Sequence, residues 1–135
     1  MREEGGLGRT WDPFWKKQKA SGRPSAMANA AVFREAAAFL NRPEILRVED
    51  WGCGHRAFRE YLGAHQEYIG VDGSSESEAS RIVDLTQYVS RDGDGLFMRG
   101  VLEHNQAWGD ILWNVLASSW QTGRPCLLVA LRRGA

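Results

Sequence analysis

The sequence is poor in the features that mark secreted, membrane-spanning or strongly charged proteins. It has 2 cysteines in 135 residues, and Met1–Arg9 carries charged residues and glycines where a secretory leader would have an apolar core. No apolar run approaches the roughly 20 residues of a membrane-spanning helix. We therefore expect reduced thiols, a cytoplasmic location and no contact with membranes.

An excess of charge of either sign is also absent. The chain has 17 Lys and Arg residues against 17 Asp and Glu residues, so its formal net charge is zero. A neutral chain has no general field that steers it toward nucleic acid, which makes nucleic acid a possible but not a favoured partner. The hydrophobic content of 43% and charged content of 25% are typical of a soluble globular domain.

The first 24 residues are predicted to form an N-terminal arm or lid, separate from a folded domain over residues 25–135. Glycines and prolines interrupt this arm, and Trp11, Phe14 and Trp15 precede several lysines. Burial of the aromatic side chains on the core is the favoured interpretation. A lid over a ligand site is the alternative.

Helical and strand patterns alternate over the folded domain. Apolar residues at helical spacing predict a helix over 25–40 and another over 106–120. The predicted strands are Ile45–Trp51, Glu67–Val71, Arg81–Leu85, Gly95–Gly100 and Cys126–Leu131, with a helix after the first and a polar loop at Gly73–Ser80. The predicted inward face of the last helix is Trp108, Ile111, Leu112, Val115 and Leu116. This alternation predicts an α/β fold with a parallel sheet.

A glycine-rich turn follows the first predicted strand. Gly52 and Gly54 have no Cβ, so a ligand can approach the backbone there. The start of the next helix offers N–H groups and a positive dipole end. Asp72, at the tip of the next strand, can accept hydrogen bonds from a ribose diol. The order of strand, glycine turn, helix, strand and acid predicts a ligand that contains a nucleoside.

Two ligand classes fit this order of elements. The spacing from Gly52 and Gly54 to Ala57 matches the dinucleotide fingerprint, and Asp72 lies close to the expected distance from it. Asp50, two residues before the first glycine, and the short chain favour S-adenosylmethionine instead. An oxidoreductase that binds a nicotinamide cofactor is kept as a further hypothesis.

Four segments resemble the motifs of class I S-adenosylmethionine-dependent methyltransferases. Val48–Gly54 resembles the acid-x-Gly-x-Gly turn of motif I, and Tyr68–Ser74 resembles motif II. Ile82–Thr86 resembles the Asp-Leu element beside the adenine, and Gly95–His104 resembles the motif of the fourth strand. The resemblance covers roughly residues 45 to 131 in the expected order and spacing.

The resemblance implies a fold and a cofactor. The fold is a Rossmann-like three-layer sandwich, with a mostly parallel sheet of about five strands that lacks the usual C-terminal strands. The cofactor is S-adenosylmethionine, and no metal is expected. The cofactor-binding residues that the resemblance implies are Asp50, Gly52, Cys53, Gly54, Asp72, Gly73, Asp84, Leu85 and Arg99.

The resemblance also implies where the methyl acceptor lies. Glu103 and His104 fall where family members place groups that face the acceptor, and histidine is suited to general-base work. Capping of the following helix is an equal alternative for both residues. The acceptor is unidentified; a small molecule or sugar is slightly favoured, and RNA is possible. The alternative function is a non-catalytic S-adenosylmethionine-binding module or partner subunit.

The sequence departs from the family pattern in three places. Arg56 replaces the third glycine of motif I, and the polar loop at 73–80 replaces the helix that walls the adenine. The sequence stops just past the fifth predicted strand, whose apolar edge proteins normally cover. We therefore expect a shallow adenine site and a homodimer that covers this edge.

Overall fold

The structure is a computed structural model that describes residues 26–122 and 125–127. The strands are β1 (Arg47–Trp51), β2 (Glu67–Asp72), β3 (Arg81–Ile82), β4 (Gly95–Met98) and β5 (Pro125–Leu127). The helices are α1 (Ala26–Leu40) and α2 (Trp108–Thr122), with short 3-10 helices η1 (Ala57–Tyr61) and η2 (Leu102–His104). All strand pairs are parallel, in the order β3-β2-β1-β4-β5. The predicted α/β fold with a parallel sheet of five strands is confirmed.

One face of the sheet packs against α1 and η1. The rings of Phe58, on η1, and Phe97, on β4, are stacked with centroids 4.0 Å apart. Phe33 of α1 contacts both rings. The buried residues of this cluster are Ala36, Ala37, Leu40, Ile45, Val48, Phe58 and Phe97. Its apolar burial fixes β1 and β4 from the side of α1.

The other face packs against α2 and the segment between β3 and β4. Its buried residues are Trp51, Ile69, Val71, Leu85, Leu96, Met98, Val101, Ile111 and Val115. Tyr88, from the segment before β4, places its ring 5.2 Å from the ring of Trp51. The sheet therefore lies between two layers, which is the predicted three-layer arrangement.

The helix predicted after β1 forms, but it is short and is not an α-helix. It is a 3-10 helix of five residues, with bonds from Arg59 N to Arg56 O and from Leu62 N to Arg59 O. Arg56, at φ 67°, has left-handed backbone directly before this turn, so an α-helix cannot begin earlier. Phe58 is nevertheless buried, with Tyr61 half-buried beside it.

The inward face predicted for α2 is partly wrong. Ile111 and Val115 are buried, but Trp108 and Leu116 are 54% and 48% exposed. The buried side instead includes the polar residues Asn114 and Ser118, because both bind the backbone of the segment between β3 and β4.

Other sequence predictions differ at the strand ends. The third strand has only two residues and the fourth ends at Met98. The predicted N-terminal arm over 1–24 and the part of the fifth strand beyond Leu127 lie outside the described residues. Within the described part of the chain, neither helix is long and apolar enough to cross a membrane.

Candidate ligand site

The carboxyl ends of the strands bring the predicted ligand-binding segments to one edge of the sheet. β1 lies in the middle, between β2 on one side and β4 on the other. The chain therefore changes direction across the sheet between β1 and β4. In open α/β sheets a ligand binds in the crevice outside the carboxyl ends at such a switch point.

The glycine turn after β1 is held by the end of β2. The amides of Gly52 and Cys53 both donate to the carbonyl of Val71, at 2.7 and 3.2 Å. Gly52 and Gly54 have φ of 81° and 55°, values that favour glycine. A Cβ on Gly52 would lie 2.3 Å from Cγ2 of Val101. Gly52 is therefore needed for close packing by Val101, a reason that the sequence did not reveal.

Asp72 joins the glycine turn to the loop after β2. Its Oδ2 accepts from the amide of Gly54 and its Oδ1 from the amide of Ser74, both at 2.9 Å. The carboxyl group is buried, and this burial raises its pKa although the amides of Gly54, Ser74 and Gly73 act in the opposite direction. A carboxylate has about four acceptor sites, so the three amides leave room for one more donor.

Asp50 is a second buried carboxyl group at this edge. The hydroxyl of Tyr68 donates to its Oδ2 at 2.6 Å. Burial raises the pKa of Asp50 to about 7; the hydrogen bond from Tyr68 lowers it, and the nearby charge of Asp72 raises it. Two acidic groups thus lie close together with little solvent, an environment that a positively charged ligand would stabilise.

Cys53 and Arg56 complete the surroundings of Asp50. Cys53 is a buried free thiol whose pKa is raised, mainly by burial and then by the charge of Asp50. It is therefore protonated and packs against Gly70, where a Cβ would lie 2.9 Å from its Sγ. Arg56 places its guanidinium 5.3 Å from the ring centroid of Tyr68, so a cation covers the hydroxyl-bearing ring that binds Asp50.

The loop between β2 and β3 folds back on the glycine turn. The amide of Glu78 donates to the carbonyl of Gly54 at 2.9 Å, and Nδ1 of His55 lies 3.1 Å from Oε2 of Glu78. Ser74 is buried, and its Oγ accepts from the amide of Glu76. As predicted, no helix forms here, so this side of the site has a wall of polar turns.

Asp84 and Leu85 lie beside the end of β2. The amide of Val83 donates to the carbonyl of Asp72 at 2.9 Å. Asp84, the next residue, therefore lies close to the end of β2. Oδ1 of Asp84 accepts from the amide and the hydroxyl of Thr86, at 3.0 and 2.6 Å. Leu85 is buried, and its carbonyl accepts from Nδ2 of Asn114 at 2.9 Å.

The residues predicted to face the acceptor follow β4. Glu103 and His104 lie in η2, and the amide of His104 donates to the carbonyl of Val101 at 3.2 Å. Oε1 of Glu103 is buried without a hydrogen-bond partner among the described residues. Arg99 points toward α1, with its guanidinium 5.7 Å from the ring centroid of Phe33.

Three residues at or near this edge were not predicted as site residues. Tyr68 binds Asp50, Val101 fills the space beside Gly52, and Glu49 is a fully buried carboxylate on the opposite face of β1 from Asp50. Tyr68 lies inside the segment that resembles motif II. Its position two residues before Gly70, on the same face of β2, was the available signal. Glu49 gave a signal as an acid inside a buried strand.

The described residues also form a concavity away from this edge, and they form no metal cluster. A concavity of about 390 Å³, lined by Asn41, Pro43, Leu46 and His65, lies near the amino end of β1 and contains no predicted site residue. Within 26–122 and 125–127, no group of three or more His, Cys, Asp or Glu side chains is arranged to hold a metal ion.

Comparison with known proteins gives a fold but no sequence relative. No protein-family model matches the sequence, and no curated protein matches it significantly. Similar solved structures include two methyltransferases. CalS10, an amino pentose methyltransferase from Micromonospora echinaspora involved in calicheamicin biosynthesis and solved with S-adenosylmethionine bound, is 16% identical with a TM-score of 0.50. The plantazolicin methyltransferase BpumL, in complex with S-adenosylhomocysteine, is 16% identical with a TM-score of 0.54.

These similarities extend over most of this chain but only part of each neighbour. The alignment with CalS10 covers 82% of this chain and 51% of that protein, and the alignment with BpumL covers 84% and 52%. This chain thus spans about half the length of either neighbour. It has the Rossmann-like fold of the class I methyltransferases.

Proposed function

We propose that this chain binds S-adenosylmethionine at the carboxyl ends of β1, β2 and β4 and transfers its methyl group to an acceptor. The observation that carries the proposal is the position of Asp72. This buried carboxylate lies at the tip of β2, hydrogen-bonded to the amide of Gly54 in a glycine turn. The solved structures of similar fold, which are methyltransferases with this cofactor or its product bound, support the proposal.

The chemistry of the site residues fits such a ligand. The cofactor has a sulfonium and an ammonium group, and Asp50 and Asp72 are buried acids whose pKa values are raised. A cation beside Asp50 would favour the charged form of that group. Asp72 would hold the ribose, Asp84 with Leu85 would meet the adenine, and Gly52, Cys53, Gly54 and Gly73 would line the backbone surface. Arg99 would lie at the border with α1.

Methyl transfer requires little chemistry from the protein. When bound, S-adenosylmethionine supplies an electrophilic methyl group, and its carbon–sulfur bond breaks as the acceptor atom bonds to the methyl carbon. The protein orients the acceptor and excludes water. Glu103 and His104 follow β4 at the same edge, where they would accept the proton that the acceptor loses. A small molecule or sugar is the favoured acceptor, and RNA is the alternative.

Titration calorimetry with S-adenosylhomocysteine tests the proposal. Asp72→Asn keeps the size of the side chain but removes its charge and one acceptor, and we expect an affinity loss of about tenfold or more. Glu67→Gln is the control, because this acid is on the surface, 58% exposed, and pairs with Arg47 at the other end of the sheet. No binding by the unmodified protein, or equal binding by Asp72→Asn, would contradict the proposal.

A second candidate function is a cofactor-binding module or partner subunit without catalysis. It is favoured by the polar loop over 73–80, which stands where a helix would wall the adenine. Incubation with radiolabelled cofactor and a lysate of candidate acceptors separates the two functions. Label transferred to an acceptor supports the methyltransferase, whereas cofactor binding without any transfer supports the module.

The proposed homodimer would form at the β5 edge of the sheet. In the described part of the chain β5 has a neighbour on one side only, and α2 exposes Trp113 with 70% of its surface accessible. A second copy would cover the edge and this helix. Light scattering is expected to give twice the chain mass of 15.1 kDa. A monomer at all concentrations would contradict the proposed dimer.

A further inference from the structure

The carboxylate of Glu49 is fully buried between β1 and the segment that connects β3 to β4. It accepts hydrogen bonds on both oxygens. The donors are Nε1 of Trp51 at 3.0 Å, the hydroxyl of Tyr88 at 3.0 Å, Oγ of Ser90 at 2.6 Å and Nη1 of Arg81 at 3.3 Å. A buried charge is costly unless it is paired and hydrogen-bonded, so these contacts stabilise the carboxylate and hold the segment against β1.

Three of the donors belong to the chain on either side of Asp84. Arg81 lies in β3, and Tyr88 and Ser90 follow Asp84 before β4 begins. Nη1 of Arg81 also donates to the hydroxyl of Tyr88 at 2.7 Å. Burial and the charge of Glu49 raise the pKa of Tyr88 to about 12, so its hydroxyl is protonated and donates to the carboxylate.

The connecting segment has no α-helix to hold it. Polar contacts from two other elements take that role. Besides Glu49 of β1, the side chains of Asn114 and Ser118 on α2 bind the carbonyl of Leu85 and the amide of Ser90. Gly93 also packs against the carboxylate, since a Cβ there would lie 3.2 Å from Oε2 of Glu49.

We propose that Glu49 is a positioning residue for recognition of the adenine base. Its carboxylate fixes the segment over 81–93, and thereby sets the place of Asp84 relative to Asp72. Glu49 does not touch the ligand; it acts through Arg81, Tyr88 and Ser90. This inference rests on the proposed function, because it assigns to Asp84 the contact with the exocyclic amine of the base.

The variants separate this role from a general loss of stability. Glu49→Gln keeps the shape but replaces one acceptor by a donor, while Tyr88→Phe and Ser90→Ala each remove one donor. Val48→Ala is the matched control, because Val48 is the buried neighbour of Glu49 on β1 and packs on the α1 side of the sheet. This variant loses core packing without touching the hydrogen-bond network of Glu49, Arg81, Tyr88 and Ser90. Tyr88→Phe and Ser90→Ala carry the test if Glu49→Gln does not fold.

The first measurement needs no ligand. Amide hydrogen exchange is followed at Thr86 and Gln87, whose amides bind Oδ1 and the carbonyl of Asp84. We expect exchange about tenfold faster than in the unmodified protein for Glu49→Gln and Tyr88→Phe, beyond any change in Val48→Ala. Equal acceleration in Val48→Ala, or none in the network variants, would overturn the inference.

The second measurement compares S-adenosylhomocysteine with S-inosylhomocysteine, in which a carbonyl replaces the exocyclic amine. The unmodified protein is expected to prefer the adenine compound by about tenfold or more, and Glu49→Gln and Tyr88→Phe to lose most of this preference while Val48→Ala retains it. Preference retained in the network variants overturns the role of Glu49 and leaves the proposed function intact. Failure of the unmodified protein to bind either compound overturns both.

Discussion

Gly52 and Val101 approach so closely that position 52 has no room for a side chain. The distance from an added Cβ to Cγ2 of Val101 is 2.3 Å, and Gly52 also has a φ of 81°. This contact joins the end of β1 to the chain that follows β4. The glycine turn that is proposed to line the cofactor and the segment that is proposed to face the acceptor therefore depend on each other for their positions.

Gly52→Ala is expected to lower the free energy of unfolding by roughly 2–4 kcal/mol, since it adds steric overlap to an unfavourable φ. Chemical denaturation measures the change. Two glycines serve as controls. Gly100 has φ 72° and Gly109 lies in α2, and neither has an atom within 4 Å of an added Cβ. Gly100→Ala should cost about 1 kcal/mol, and Gly109→Ala should gain about 0.5–1 kcal/mol. Equal effects at Gly52 and Gly100 would contradict the contact with Val101.

The pKa of Asp50 gives the stability of the protein a pH dependence. Its pKa rises from the usual 3.8 to about 7 on folding, so the folded state holds a proton that the unfolded state has released. Through this group, the free energy of unfolding falls as the pH rises from about 4 to 7. Asp50→Asn keeps an acceptor for Tyr68 and removes the titration. It should stabilise the protein more at about pH 8 than at about pH 5, by an amount on the order of 1–3 kcal/mol.

Denaturant unfolding at several pH values checks this expectation, with the surface variant Glu67→Gln as the control. A stability difference between Asp50→Asn and the unmodified protein that stays constant with pH would show that Asp50 is ionised throughout.

The charge of the ligand should be linked to the same titration. S-adenosylmethionine carries a sulfonium, whereas S-adenosylhomocysteine carries a neutral thioether. Because Asp50 becomes anionic as the pH rises through about 7, the affinity ratio of the methyl donor over its product is expected to increase severalfold between about pH 6 and pH 8. The increase should vanish in Asp50→Asn. Calorimetry with both compounds at each pH measures the ratio, and the same pH dependence in the variant would assign the effect to another group.

Glu103 and His104 are expected to affect turnover rather than cofactor affinity. Glu103→Gln and His104→Asn should each reduce kcat by roughly 100-fold, with less than a threefold change in the dissociation constant of S-adenosylhomocysteine. Gln106→Ala, at an exposed position just after η2, is the control. If both variants keep kcat but lose stability, the two residues serve as caps of the following helix, as the alternative interpretation holds.

Much of the fold was predictable because alternating apolar segments and glycine turns carry strong signals. The helix over 26–40, the strands ending at Trp51 and Asp72, and the polar loop after Asp72 follow from local pattern alone. The helix after β1 was predicted, but its type and length were not, because they depend on the backbone of Arg56, and an arginine at φ 67° has no signature in sequence.

The polar interior was the part that the sequence could not give. Asn114 and Ser118 interrupt the apolar pattern of α2, so the predicted inward face was rotated toward Trp108 and Leu116. Asn114 and Ser118 are buried because they bind partners in the segment between β3 and β4, which are distant along the chain. The site motifs were recognisable in order, whereas the filling of the space beside Gly52 by Val101 is a tertiary contact.

The central claim is that a nucleoside lies across the carboxyl ends of the strands, and amide chemical shifts test it most directly. Isotope-labelled protein is titrated with S-adenosylhomocysteine, and spectra are recorded at each step. We expect saturable shifts that concentrate at Gly52–Gly54, Gly73–Ser74 and Asp84–Leu85, with the amides around the Asn41 and His65 concavity unchanged. Unchanged spectra at saturating ligand, or shifts centred on that concavity, would contradict it.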